Sequence, residues 1–214
     1  MPHKLSVIVT VGSPVAFQSL DGANLITAAL SAANSFCVET SLSNKLYVAA
    51  EDLNAVRAAT ATTRIKFEEL QCNPNSPAEL AAAIKDIDCE MFAIHDAQRP
   101  LTRNTQFHRA MEGLFGCDAV RPTMAFTETL KALNEENHLT YTIDRTKVRR
   151  VSSPEIIRKS HIDFEGKDST WSVPLKSAAR LSEVEADPES LRINSADEVT
   201  LMEAFLKWRQ KVVN

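Results

Sequence analysis

Glycine is scarce in this chain, with five in 214 residues. One of them, Gly12, follows the first strand-like run, in "TVGSPVAFQSL", a stretch with neither Lys nor Arg. Nucleotide-binding α/β proteins generally place a Gly-rich, basic loop here to cradle phosphates. Its absence counts against tight triphosphate binding at this loop, and the missing G-x-G-x-x-G argues against a nicotinamide-binding oxidoreductase. Paired cysteines are lacking too. Cys37, Cys72, Cys89 and Cys117 are scattered, which suggests neither a zinc site nor a disulfide framework. They read as small hydrophobes in a reducing compartment, so a cytoplasmic protein is expected. No apolar run approaches the roughly 18 residues that span a bilayer, and the N-terminal stretch is too weakly apolar for a signal peptide. No membrane partner is expected. Excess positive charge is also missing: a net charge of −4 argues against a general nucleic-acid binder.

What is present fits an ordinary globular protein. A hydrophobic content of 44% over 214 residues allows one domain, residues 1–214, with a substantial core. "KLSVIVTV" (Lys4 to Val11) is a β-branched run of the kind buried on both faces of a sheet. "NLITAALSAANS" reads as a helix, with Leu25, Ala29 and Ala32 at helical spacing. "KLYVAA" and "RIKFEEL" are further strand candidates. In "SPAELAAAIKDI", Ser76 can cap, Pro77 suits the first helical position and Glu79 completes a capping box. A buried strand from Met91 to Ile94 follows, then a helix over "QFHRAMEGLF" with Phe107, Ala110, Met111 and Leu114 on one face. This alternation predicts an α/β fold with a mostly parallel, doubly wound sheet. From Asp118 to Ser153 the chain is rich in Thr and Val, and "NEEN" reads as a turn between two strands, so a β-rich excursion rather than another βαβ unit is expected. The end reads as a short strand in "SLRIN", Ser195 as a helix cap, and a helix burying Val199, Met202 and Phe205 or Leu206.

Four features carry possible chemistry. Strand residues Met91 to Ile94 give way to His95, Asp96, Gln98 and Arg99, at the strand end where open α/β sheets place ligands. A carboxylate there can hold Mg²⁺ or orient a hydroxyl, and an Arg can grip phosphate bidentately; the plainer reading is an Asp–Arg pair closing a turn. A lone His beside a strand is more often satisfied inside the fold than a base. In "TETLKAL", Thr127, Thr129 and Lys131 alternate and would share one strand face suited to phosphate, or merely a solvated edge. Arg145, Lys147, Arg149 and Arg150 concentrate positive charge that attracts an anion, without the interleaved aromatics of a nucleic-acid surface.

Taken in order, "HDAQRP", "TETLK", "TIDR" and "LRIN…DE" resemble the 2-C-methyl-D-erythritol 4-phosphate cytidylyltransferase family of non-mevalonate isoprenoid synthesis. Members carry a strand ending H-D-A-A-R-P, then a D-T-[IM]-K strand, a T-x-D-R arm and a late I-K-x-T strand before the last helix. Order and spacing match from about residue 90 to 206, and "FQSLDGANLI" echoes an earlier family stretch. The resemblance implies a Rossmann-like nucleotide-diphospho-sugar transferase fold with a protruding β-arm, here at about 134–156. It also implies a homodimer whose arms interlock, and CMP transfer from CTP to 2-C-methyl-D-erythritol 4-phosphate with Mg²⁺. Asp96 and Arg99 would then be the catalytic pair at the phosphates, with Asp96 the metal ligand. Thr129, Lys131, Arg145 and Arg192 would bind the phosphorylated substrate, and Gly12 and Ser13 would hold the nucleotide weakly. Arg192 stands where the family has Lys, a change that keeps charge and alters geometry.

The departures fall on the nucleotide half. The family's first loop reads A-A-G-x-G-x-R-M…P-K-Q; here it is "VGSPVA", with no counterpart of the Arg and Val15 about where the Lys belongs. The G-G-x-x-R-x-x-S stretch is "CNPNSPAE". Two functions therefore stand side by side: a working cytidylyltransferase, or a degenerate relative that binds a phosphorylated ligand or a partner subunit.

Overall fold

Strand β1 (Lys4–Val11) lies at the centre of the sheet, and its alternate side chains enter two separate cores. Leu5, Val7, Val9 and Val11 pack on one face and Ile8 on the other, which is why the run is apolar without a break. The computed structural model describes residues 4–40 and 42–213. After β1 come the short pair β2 (Ser19–Leu20) and β3 (Ala23–Asn24), helix α1 (Leu25–Glu39) and strand β4 (Ser43–Ala50). Helix α2 (Leu53–Thr60), β5 (Glu68–Gln71), α3 (Pro77–Ile84), β6 (Met91–Asp96), α4 (Asn104–Gly113) and β7 (Ala119–Ala125) follow. A hairpin of β8 (Lys131–Leu133) and β9 (Leu139–Thr142) then leaves the sheet, and β10 (Arg149–Val151) and β11 (Glu155–Arg158) return to it. β12 (Leu181–Glu185) and helix α5 (Ala196–Val213) end the chain.

β4 and β6 flank β1, both parallel to it; β5 extends the sheet beyond β4. β11 runs antiparallel between β6 and β7, β10 pairs antiparallel with β7, and β12 pairs parallel with β7. The result is a mostly parallel α/β sheet with the Rossmann-like layering expected of the sequence. The chain steps from β1 outward to β4 and β5 and then crosses to β6 on the other side. The crevice between the carboxyl ends of β1 and β6 is thus a topological switch point, where such sheets bind ligands. Helices α1 and α4 cover one face, with Phe36 and Phe107 rings 5.2 Å apart. α3 and the segment around Ile162 and Val173 cover the other. α5 packs Val199, Met202 and Leu206 onto Leu20, Leu25 and Ile193, which brings the chain just before it to the switch point.

Several local expectations are corrected. α2 was not foreseen; Asp52 caps it by accepting from the Ala55 amide at 2.9 Å. Ser76 does cap α3, at 3.4 Å from the Glu79 amide, but Glu79 reaches back to the Asn73 amide instead of closing a capping box. "RIKFEEL" is strand only from Glu68. "TETLKAL" is strand only from Lys131: Thr127 and Thr129 lie outside it and share no strand face, because hairpin pairing starts at Lys131 opposite Thr142. "SLRIN" is no strand; it is tied to the loop after β6 through the Ile193 amide and the Gln98 carbonyl, 2.8 Å apart. Of the segment around 134–156, the free hairpin spans Lys131 to Thr142, while residues 149–151 and 155–158 belong to the central sheet.

Candidate active site

Asp96 is the last residue of β6 and pairs in register with Thr10 of β1. The strand carries it to the switch point, and the turn after it fixes its carboxylate. The Gln98 amide donates to Oδ1 at 2.9 Å, Arg192 Nε donates to Oδ2 at 2.7 Å, and Arg99 Nε lies 3.8 Å from Oδ2. Arg192 also donates through Nη2 to Gln98 Oε1 at 2.5 Å and through Nη1 to Asn194 Oδ1. One carboxylate thus sits between two guanidiniums, with its side chain 21% exposed.

The two arginines differ in kind. Arg99 is buried, donating through Nη1 to the Ser190 carbonyl at 2.7 Å and through Nη2 to the Val151 carbonyl at 2.9 Å. Burial draws its pKa below the usual guanidinium value, with Asp96 opposing. It staples the end of β10 and the Ser190 loop to the strand end, so its donors face the protein. Arg192 has a side chain 37% exposed. Three of its five N–H groups meet Asp96, Gln98 and Asn194, leaving two for a ligand.

His95, one residue earlier, is sealed. Its Nδ1 is 2.8 Å from Ser153 Oγ, its ring packs on Phe107 at 5.0 Å, and Nε2 has no partner. Burial lowers its pKa to about 4, with Arg99 adding to the effect and Asp96 opposing it. It is a neutral core histidine, unsuited to act as a base on a bound substrate.

Next to Asp96, the loop after β1 is short and crowded. Ser13 caps a single helical turn over Pro14–Phe17, its Oγ accepting from the Val15 amide at 3.3 Å. The Gly12 carbonyl accepts from Asn75 Nδ2 at 2.7 Å, and a Cβ on Gly12 would lie 2.4 Å from Asn75 Oδ1. A side chain at position 12 would displace the Asn75 carboxamide from this contact. The cleft beside the loop has a volume of about 100 Å³ and is bordered by Gly12, Ser13, Pro14, Phe17, Glu51 and Asp52. That is below the ~300–1,000 Å³ usual for ligand clefts. Its charged neighbours are carboxylates.

The arm residues form a separate group. Thr129, Lys131 and Arg145 are exposed; Lys131 donates to Thr142 Oγ1 at 2.7 Å and Arg145 to the Thr127 carbonyl at 2.6 Å. Among the described residues, no hydrogen bond or ion pair links this group to Asp96, Arg99 or Arg192. The chain therefore brings Asp96, Arg99 and Arg192 together and leaves Thr129, Lys131 and Arg145 apart. Sequence reasoning missed Gln98, Asn194 and Asn75 as the residues that order the site. The one signal available was Gln98 inside the H-D-A-x-R-P motif.

Mg²⁺ commonly binds through one or two carboxylates, with substrate phosphates and water completing its shell. Among the described residues no three His, Cys, Asp or Glu side chains gather as a metal cluster. A single, partly exposed Asp96 suits that mode of binding, and Arg192 would have to yield Oδ2 to the ion.

Solved structures share this architecture. A 2-C-methyl-D-erythritol 4-phosphate cytidylyltransferase from Thermus thermophilus superposes with a TM-score of 0.74 at 19% identity, covering 95% of this chain and 99% of that one. A 4-diphosphocytidyl-2C-methyl-D-erythritol synthase from Anaerococcus prevotii gives 0.76 at 14% identity, covering 96% and 99%. Fold and switch-point crevice together define a Rossmann-like α/β protein. Residues 8–207 match the family described as 2-C-methyl-D-erythritol 4-phosphate cytidylyltransferase, and the chain belongs to that family. A curated relative of that description from Caldanaerobacter subterraneus subsp. tengcongensis is 25% identical over 135 residues, 58% of this chain and 59% of the relative. Another from Desulforamulus reducens is 26% identical over 133 residues, 57% and 56%. These alignments span less than two thirds of the relatives' length. No described helix is long and apolar enough to cross a membrane.

Proposed function

We propose that this chain transfers CMP from CTP to 2-C-methyl-D-erythritol 4-phosphate, with Mg²⁺. The observation that carries the proposal is Asp96, held with Arg192 at the β1–β6 switch point of a chain that matches the family over residues 8–207. In this reaction a phosphate oxygen of the sugar phosphate attacks the α-phosphorus of CTP. The new P–O bond forms as the bond to the bridging oxygen breaks, and pyrophosphate leaves with the electron pair. Such transfers need placement and charge neutralisation more than covalent work. Asp96 would hold Mg²⁺, which when bound neutralises phosphate charge. Arg192, still held by Gln98 and Asn194, grips the sugar phosphate with the N–H groups they leave free, and Arg99 keeps the strand end rigid behind both. Arg145, Thr129 and Lys131 complete the phosphate site from the arm of a second copy in a homodimer.

A second reading is favoured by the loop after β1. A cleft of about 100 Å³ edged by Glu51 and Asp52 offers a triphosphate few donors and no cation, since Pro14 lacks an N–H. On that reading the chain binds a phosphorylated ligand without turnover. Pyrophosphate release with CTP, 2-C-methyl-D-erythritol 4-phosphate and Mg²⁺ separates the two. The catalytic reading expects release that needs all three components, with CTP needed at millimolar levels, where binding is worth only about −4 kcal/mol. No release, with the sugar phosphate still bound in calorimetry, establishes the second reading.

A further inference from the structure

We infer that Gln98 is a positioning residue whose carboxamide fixes the Arg192 guanidinium against Asp96; the inference rests on the reading of this cluster as a phosphate site. Gln98 is 1% exposed and all its polar groups are used. Its amide donates to Asp96 Oδ1 at 2.9 Å, and its carbonyl accepts from the Ile193 amide at 2.8 Å. In the side chain, Nε2 donates to the Ile193 carbonyl at 2.6 Å and Oε1 accepts from Arg192 Nη2 at 2.5 Å.

The bonds to Ile193, with the Arg99 bond to the Ser190 carbonyl, already hold the 190–195 segment on β6. The bond from Oε1 does something else. It takes Nη2 while Asp96 takes Nε, so two neighbouring donors on one planar group are pinned by two acceptors that the same turn presents. Asn194 takes a third donor through Nη1. The guanidinium is then fixed in plane, and its two free N–H groups are set in direction before any ligand arrives, which spares the ordering cost of a long side chain. A lysine at 192 would not be held in the same way, because its three N–H groups radiate from one freely rotating nitrogen and cannot be fixed in a plane by two separate acceptors. Gln98 thus selects Arg at position 192.

The test reads the arginine directly, without ligand. In ¹H–¹⁵N spectra the Arg192 Nε–H signal, assigned by its loss in Arg192→Lys, should exchange slowly with solvent in the wild-type protein. Gln98→Met, which keeps volume and removes the Nη2 acceptor, should speed Nε–H exchange about tenfold or more, because the Nε–Asp96 bond opens more often once the neighbouring charge-assisted bond that held the guanidinium in plane is lost. Gln98→Glu, which keeps an oxygen acceptor but not the Nε2 donor, should keep the signal protected. Unchanged exchange in Gln98→Met, or lost protection in Gln98→Glu, overturns the inference. If Gln98→Met does not fold, Gln98→Glu decides alone. Calorimetry with 2-C-methyl-D-erythritol 4-phosphate forms the second arm. Gln98→Met should weaken binding about tenfold in the wild-type background and under about twofold in Arg192→Ala; equal weakening in both also overturns it. Failure of the wild-type protein to bind the sugar phosphate counts against the phosphate-site reading, and the exchange result still decides the role of Gln98.

Discussion

His95 and Asp96 are neighbours in sequence whose side chains leave β6 in opposite directions, one into the core beside Phe107 and one to the crevice. Their behaviour with pH follows from that split. His95 has its folded-state pKa lowered to about 4 by burial, against an ordinary value of 6.5. Between those values the unfolded chain binds a proton that the folded chain refuses, so stability rises with pH through this window and falls on acidification. At about pH 4.5 the contribution lost is about 2–3 kcal/mol relative to about pH 7. Urea unfolding of wild-type and His95→Phe protein at the two pH values should show the acid loss shrink by about that amount in the variant. Parallel losses would remove His95 from the account. Arg99 and Arg145 make a second contrast. Arg99→Leu leaves the Val151 carbonyl without its Arg99 donor and the Ser190 carbonyl with only Ser152 Oγ at 3.4 Å, and should cost about 3 kcal/mol of stability. Arg145→Ala, at an exposed site, should cost less than about 0.5 kcal/mol. Equal costs would contradict the assignment of Arg99 as a staple.

The β8–β9 hairpin is the element whose surroundings are least complete within one chain. Among the described residues its strands pair only with each other, Leu133 lies opposite Leu139, and Leu133, Leu139 and Tyr141 are 56%, 72% and 69% exposed. Isolated two-stranded hairpins are marginal in water, and such side chains gain from cover. A second copy supplying that cover is the expected arrangement. Sedimentation should show a dimer that Leu139→Ser with Tyr141→Ser converts to monomer; a wild-type monomer at all concentrations would refute it. Elements buried on both faces were legible in the sequence, because β1 and β6 must be apolar without interruption. α2 was hidden because it is short and buries only Val56 and Thr60. The alternation in "TETLKAL" imitated a strand, since exposed loops can alternate by chance where no partner enforces the period. Asp96 could be placed from its strand end. The staple role of Arg99 could not, because backbone carbonyls leave no mark in sequence, and Gln98 meets Arg192 across 94 positions.

At the scale of the whole molecule, the two halves of the site differ in charge. The Asp96 side carries Arg99 and Arg192, while the loop after β1 is edged by Glu51 and Asp52 in a chain of net charge −4. On the proposed function, a sugar phosphate would find the first half favourable and a nucleoside triphosphate would find the second poor. Catalysis then depends on whether Asp96, with Mg²⁺ and the substrate's own phosphates, can offset the missing cations. The most direct measurement is pyrophosphate release at millimolar CTP with Mg²⁺ and 2-C-methyl-D-erythritol 4-phosphate, for wild-type and Asp96→Asn protein. The account expects steady release that stops when the metal is chelated, and falls in the variant by about 10²- to 10³-fold, the loss typical of removing one group that stabilises transition-state charge. Absence of release from the wild-type protein, or release that Asp96→Asn leaves unchanged, would contradict it.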